Sequence, residues 1–435
     1  MGQSYDAIII GAGIIGSATA LELAKAGWKT LSIDKNPSAG YGSTSGSCAI
    51  IRVHYSTFDG AAFAYEGYFY WKKWREYLGV DADDGLSVFH ETGALVMKTE
   101  HNGHLRTIMG NMDKLGIPYE EWDQDRIKQR FPIFDLRRFT PAKALDDPDF
   151  GQPTGGTVDG AVFFPTAGYI NDPQLATVNI ADAAKRAGAD FLFNRRVVDI
   201  PKGPDGRVAG VVLDDGTRFD APVVVNVAGP HSAKINAMAG ALEDMTITTG
   251  ALRQEVVHVP APEGFDALRD GMVTSDSDIS CYTRPETGNH ILIGSEDPPC
   301  DPREFVDPDA YDRDFTDQWT VQAQRAAQRM PDLGIPHRRR GVVDLYDVTE
   351  DWIPIYDKSC VPGYYMAIGT SGNQFKNAPP AGLAMAQLIQ AVEGGHDHDA
   401  EPLVVTMPHI DRPLNLGFYS RKREINQESS FSVLG

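Results

Sequence analysis

The chain has 435 residues, 42% of them hydrophobic and 23% charged, and a formal net charge of −20. That length exceeds what one core commonly serves and predicts two domains. The negative charge argues against nucleic acid and anionic membrane surfaces as partners, and no apolar run is long enough to span a bilayer. Cys48, Cys281, Cys300 and Cys360 have neither CxxC nor metal-type spacing, which predicts free thiols in a reducing compartment. The N-terminal residues lead straight into a core strand without a basic region or cleavage site, so the expected location is the cytoplasm.

The stretch "YDAIIIGAGIIGSATALELAKAGWKTLSID" carries the strongest signal. Residues 6–10 read as a buried parallel strand, 14–26 as a helix stopped at Gly27, and 30–33 as a second strand ending in Asp34. Between strand and helix lies Gly11-Ala12-Gly13-Ile14-Ile15-Gly16. Gly11 permits the tight turn, Gly13 lets backbone approach a pyrophosphate, Gly16 allows close helix–strand packing, and Asp34 can accept from a ribose hydroxyl. A dinucleotide site follows. The next segment, "GSTSGSCAIIR", puts small residues Ser43, Thr44 and Ser45 after the second strand, then Arg52 behind two isoleucines. That loop suits a large cofactor better than a simple NAD domain does.

An aromatic-rich helix is predicted from Gly60 to Leu78, a strand from Val88 to Lys98, and an irregular charged region from Asp113 to Pro148. Asp172 and Pro173 open a helix that runs to Ala187, followed by short strands near Phe191, Val197 and Val211. A core strand at 223–227 ends at Ala228-Gly229-Pro230. From about Ile247 to Pro336 the text alternates again. An apolar strand at 364–368 leads into "GTSGNQFKNAP" and a helix with proline in its first turn. The expected organisation is α/β: a discontinuous Rossmann-type domain (1–85, 165–245, 337–400) with an inserted α+β cap (86–164, 246–336) and a polar tail, 401–435.

In these features the chain resembles the FAD-dependent amine oxidoreductases that include glycine oxidase, monomeric sarcosine oxidase, N-methyltryptophan oxidase and dimethylglycine dehydrogenase. The pieces that carry the resemblance are "GAGIIG" with Asp34, the "GSTSG…IIR" loop, "AGP" at 228–230, "YTRPETGNHILIG" from Tyr282, and the turn Gly369 to Pro379. It implies FAD held by Gly11, Gly13, Ile14, Ile15, Gly16, Asp34 and Lys35, by Ser43, Thr44 and Ser45, and by Val197, Ala228 and Gly229. Gly369, Gly372, Asn373, Gln374, Phe375 and Lys376 would lie along the flavin. Arg52 and Lys376 would clamp a substrate carboxylate, with Tyr282 and Arg284 nearby. Where relatives attach flavin to cysteine this chain has Asp344, and Ser45-Gly46 stand where others have histidine, so FAD is expected to be non-covalent. Leu292 replaces an oxygen-activating lysine. His290 lies on the same predicted strand face and could replace that cation, as could Arg284 or a displaced lysine; the expected electron acceptor is a quinone or flavoprotein, with oxygen as the alternative.

The expected activity is oxidation of a C–N bond in a small carboxylate-bearing amine, most simply an N-methyl or N-alkyl amino acid. The alternatives are a 2-hydroxy acid dehydrogenase, with His54, His231, His258 or His290 as base, and a non-catalytic flavin-binding subunit. Substrate side chain and oligomeric state are not legible.

Overall fold

The computed structural model describes residues 4–82, 85–100 and 102–435. One six-stranded sheet has the order 355–358, 364–368, 223–226, 7–10, 30–33, 190–192. Five of the strands are parallel, and Ile355–Lys358 is an antiparallel edge. Because side chains alternate along a strand, the central strands feed two cores. Ala7, Ile9, Val223 and Val225 pack with helices Ile14–Lys25, Phe58–Lys72, Pro173–Arg186 and Ala378–Glu393. Ile8, Ile10, Leu31, Ile33 and Val224 pack with the three-stranded sheet 197–199, 210–213, 218–220 and helix Ser232–Ala239. Both faces are covered, as an almost entirely parallel sheet requires.

The cap is an eight-stranded sheet in the order 341–348, 250–260, 290–295, 281–286, 273–276, 94–97, 161–164, 120–122. Glu255, Val257 and Val259 point to its outer face, where Val257 and Val259 pack against Trp319, Ala323 and Ala326 of helix Asp317–Arg329. Gln254 and Val256 point to the inner face, with Val342, Asp344 and Tyr346 of the neighbouring strand.

Several boundaries differ from the expectation. Gly341–Val348 pairs along its whole length with Gly250–Val257 in the cap sheet, so the return to the dinucleotide sheet comes at Ile355, not near 337. The predicted strand Val88–Lys98 is two, Phe89–His90 and Ala94–Met97. Gly93 at φ +78 separates them, and a Cβ there would lie 2.3 Å from the Phe163 ring. The tail is held in place. Arg421 is fully buried among Asp244, Asp357 and Asp399, and Arg423 pairs with Asp351 at 2.8 Å.

Candidate active site

A cavity of about 880 Å³ runs between the C-terminal ends of the parallel strands and the inner face of the cap sheet. Its first half is the glycine turn. Gly11 has φ +111, and a Cβ on it would sit 2.4 Å from Val227 O. A Cβ on Gly16 would sit 2.1 Å from Gly11 O, so strand, turn and helix meet with no room for a methyl group. The helix that starts at Ile14 has no side chain capping its N-terminus, although Ile14 N donates weakly to Thr44 Oγ1 at 3.3 Å. Its first N–H groups face the cavity, the usual cradle for a phosphate. Asp34 accepts from Ala12 N and Asn36 N, both at 2.8 Å, and each oxygen keeps acceptor capacity for a ribose hydroxyl. These residues fit the pyrophosphate and ribose of FAD.

Gly11, Gly13, Ile14, Ile15, Gly16, Asp34 and Lys35 line this half, as do Ser43, Thr44, Ser45, Val197, Ala228 and Gly229. Gly372, Asn373, Gln374, Phe375 and Lys376 line the other half. Gly369 does not. Its N–H is spent on the buried Asp347 carboxylate at 2.6 Å, which also takes Thr370 N and Oγ1. Gly369 shapes the turn: it, Ser371 and Gly372 have φ of +69, +48 and +67. Three left-handed residues within four fold the chain back so that Lys376 enters the cavity.

At that end two cations converge. Arg52 is 7% exposed and Lys376 3%. Arg52 Nη1 donates to His54 O at 2.7 Å and Nη2 to Val433 O at 2.9 Å, while the guanidinium lies over the Tyr55 ring. Lys376 Nζ donates to Asn373 O at 2.7 Å and Tyr55 Oη at 3.0 Å. Neither has a carboxylate within ion-pairing distance among the described residues. Burial, reinforced by Arg52, pushes the Lys376 ammonium well below its ordinary range. Burial also lowers Arg52. Unpaired buried cations are costly, and a bound carboxylate would relieve both.

Tyr282 lines the same end, its Oη 3.6 Å from Cys48 Sγ and 3.4 Å from Tyr346 Oη. Arg284 and His290 are not among the described cavity-lining residues. Arg284 is buried, opposite Leu292 on the neighbouring strand, paired with Glu286 at 2.9 Å and stacked over Tyr169. His290 lies near the hairpin end, opposite Glu286, with Nδ1 2.9 Å from Gly288 O and its ring against His258. Strand alternation predicts His290 on the same face as Leu292. His290 does share that face, since its ring packs on His258, the cross-strand partner of Leu292, but it stands at the hairpin end, beyond the cavity. Leu292 packs in the apolar cluster with Cys48, Val256 and Tyr282. Of the four histidines weighed as bases, His54 and His231 line the cavity. His54 is stacked on Phe164, with Nδ1 buried and unpartnered.

Sequence reasoning missed Tyr55, Gln254, Ser275, Tyr346, Asp309, Val433 and Leu434. Tyr55 touches both cations, and the rest line the cavity. Period-2 alternation in the strands that carry Gln254 and Tyr346 was the available signal for those two. Nothing in the text near 431–434 pointed to a site.

Residues 6–388 match the family described as FAD dependent oxidoreductase. The chain is 25% identical over 414 residues to glycine oxidase from Geobacillus kaustophilus, covering 91% of this chain and 96% of that one. It is 26% identical over 396 residues to sarcosine oxidase subunit beta from Rhodobacter capsulatus, covering 89% and 85%. Among solved structures, L-proline dehydrogenase from P. horikoshii superposes with a TM-score of 0.75 at 22% identity, covering 97% and 98% of the two chains. Fold, glycine turn and family match agree: this chain belongs to the FAD-dependent oxidoreductases and is an enzyme that uses FAD.

Proposed function

We propose that the protein oxidises the C–N bond of a small amino acid, most simply one carrying an N-methyl or N-alkyl group. The observation that carries this reading is the pair of buried cations, Arg52 and Lys376, with no carboxylate partner among the described residues, at the end of a cofactor-sized cavity. Arg52 presents a planar fork and Lys376 a point charge, so one carboxylate satisfies both and is fixed in orientation. The chemistry supplied by bound FAD is acceptance of a hydride from the carbon next to nitrogen, after which water hydrolyses the iminium. The chain's own contribution is positioning. Tyr55 holds both cations, and Tyr282, Tyr346 and Val256 wall the cavity on the cap side. No protein base is required once the amine is neutral. The relatives named for glycine and sarcosine oxidation support an amino acid as substrate.

FAD is held without a covalent bond on this reading. Asp344 offers a carboxyl where a thiol would be needed, and burial pushes the Cys48 thiol up, which leaves it a poor nucleophile. Acid precipitation should leave a colourless pellet, and a yellow pellet would defeat this point. The acceptor is a quinone or a flavoprotein and not oxygen, because Leu292 supplies no cation and Arg284 and His290 are engaged elsewhere. Anaerobic bleaching of the flavin by a panel of N-methyl, N,N-dimethyl, cyclic and D-amino acids tests the reaction class. Bleaching by 2-hydroxy acids alone would favour the second reading, in which the orphaned Nδ1 of His54 serves as the base.

A further inference from the structure

We infer that the segment Phe431–Leu434 is a wall of the substrate pocket and sets the size of the group carried beside the carboxylate. The inference rests on the reading of Arg52 and Lys376 as a carboxylate site. The segment is built, not draped. Arg423 binds Asp351, and Ser429 Oγ donates to Asp351 O at 2.5 Å, which fixes where the last stretch departs from the dinucleotide domain. Phe431, at φ +52, turns the chain inward, and Arg303 of the cap donates to Phe431 O at 3.2 Å. The stretch therefore spans from one domain to the other directly over the cavity end.

Two features tie it to the ligand. First, Arg52 Nη2 donates to Val433 O at 2.9 Å, so the tail backbone helps hold the guanidinium in its orientation. A carboxylate on that guanidinium therefore lies next to Val433. Second, Val433 and Leu434 line the cavity, in one apolar cluster with Cys48, Val256 and Tyr282. Cys48, Arg52, His54 and residues 372–374 at that end also lie in loops and turns, but they carry the cations or face the cofactor half. The tail contributes the wall whose bulk is set by two aliphatic side chains on a nonrepetitive segment. The ligand class that fits is a carboxylate with a short apolar substituent. A ring-bearing substituent meets Leu434.

The test is carboxylate binding to the holoenzyme, read as perturbation of the flavin absorbance, with acetate and phenylacetate as probes. In Leu434→Ala and Val433→Ala the affinity for phenylacetate relative to acetate should rise at least about tenfold over wild type, the scale of a few buried methylenes. Val433→Ile should move the same ratio the other way, so one variant that folds poorly does not decide the matter. FAD content and melting temperature check each variant. If acetate and phenylacetate perturb the wild-type flavin but the ratio stays constant across all three variants, the wall is refuted and the carboxylate site stands. If neither perturbs the wild-type flavin, the carboxylate site is refuted, and the wall with it.

Discussion

At the scale of single residues, buried charges without partners decide the behaviour of the site. Changing Arg52 or Lys376 to Met removes a charged, buried hydrogen-bonding group, so each should weaken carboxylate binding by roughly 2–4 kcal/mol. FAD content should stay near normal, because the fingerprint lies at the other half of the cavity. Normal carboxylate affinity with loss of FAD would make the pair cofactor residues. Glu296 makes a second, independent case. It is buried, accepts from Ser275 Oγ at 2.7 Å, Asp276 N at 3.0 Å and Ser277 Oγ at 2.8 Å, and has no ion-pair partner among the described residues. Burial pushes its carboxyl from 4.5 up to about 7. Between those values the folded chain keeps a proton that the unfolded chain releases. The stability this contributes is complete below the unfolded value and is lost as pH rises through the folded one. Glu296→Gln stays neutral throughout, so it should gain on wild type by up to about 3 kcal/mol between pH 4 and 8. Denaturant midpoints that run parallel across that range would show that Glu296 titrates normally.

At the scale of elements, the glycine turn is the part with least tolerance. In Gly16→Ala the new methyl meets the Gly11 carbonyl at 2.1 Å, and that carbonyl belongs to the turn and cannot rotate away like a side chain. The helix from Ile14 must then move off the strand from Ala7. The expected cost is roughly 1–3 kcal/mol of stability with purification as apoprotein, measured by thermal unfolding and by flavin absorbance per mole of chain. A holoprotein of normal colour and stability would contradict that packing. This turn was also the most legible part of the sequence, because its physics is local: strand period, glycine spacing, helix and terminal carboxylate all lie within thirty residues. The turn at Lys376 was legible through its resemblance to relatives. Its bare pattern left a solvated loop lysine open, and only burial decides against that. Helix Asp317–Arg329 went unread although Trp319, Ala323 and Ala326 share a face, since Gln322, Arg325 and Arg329 are buried beside them and blur its apolar pattern. The placement of Gly341–Val348 in the cap could not be read from its own residues, because pairing with Gly250–Val257 is a non-local choice. The tail failed for a related reason. Arg421 and Arg423 look like solvated surface charge until Asp244, Asp357, Asp399 and Asp351 arrive from elsewhere in the chain.

At the scale of the whole molecule, the site exists only because cap and dinucleotide domain close on each other, and two connections cross the gap at opposite ends of the cavity. One is the tail beside Arg52. The other is the cap loop that carries Pro308, Asp309, Tyr311 and Arg313 over the nucleotide end. Asp309 reaches Lys234 Nζ at 2.8 Å and Lys35 Nζ, Arg196 Nη1 and His231 Nε2 at 3.2 Å each, all on the dinucleotide side. Hydrogen bonding from Lys234 comes first among the causes that hold the Asp309 carboxyl well below the usual carboxylate range. A single exposed pair contributes little, but one carboxylate shared by several cations is a network, and removing it should cost about 1–2 kcal/mol. These cations also stand out in a chain of net charge −20, and they sit where phosphates enter. Asp309→Asn therefore has two consequences of different sign. Loss of the strap speeds both entry and escape of FAD, while Lys35 and Arg196, freed of this carboxylate, favour the anionic cofactor; Lys234 keeps Asp307. Dissociation should quicken by about five- to thirty-fold, association should quicken as well, and the equilibrium constant should move less than either rate. High salt should reproduce the faster escape in the wild-type protein and leave escape from the variant nearly unchanged, since screening weakens the same contacts. Stopped-flow fluorescence of FAD binding and release measures both rates. An unchanged escape rate in Asp309→Asn would mean that the loop only rests on the dinucleotide domain, and that closure is held by the sheets and the tail alone.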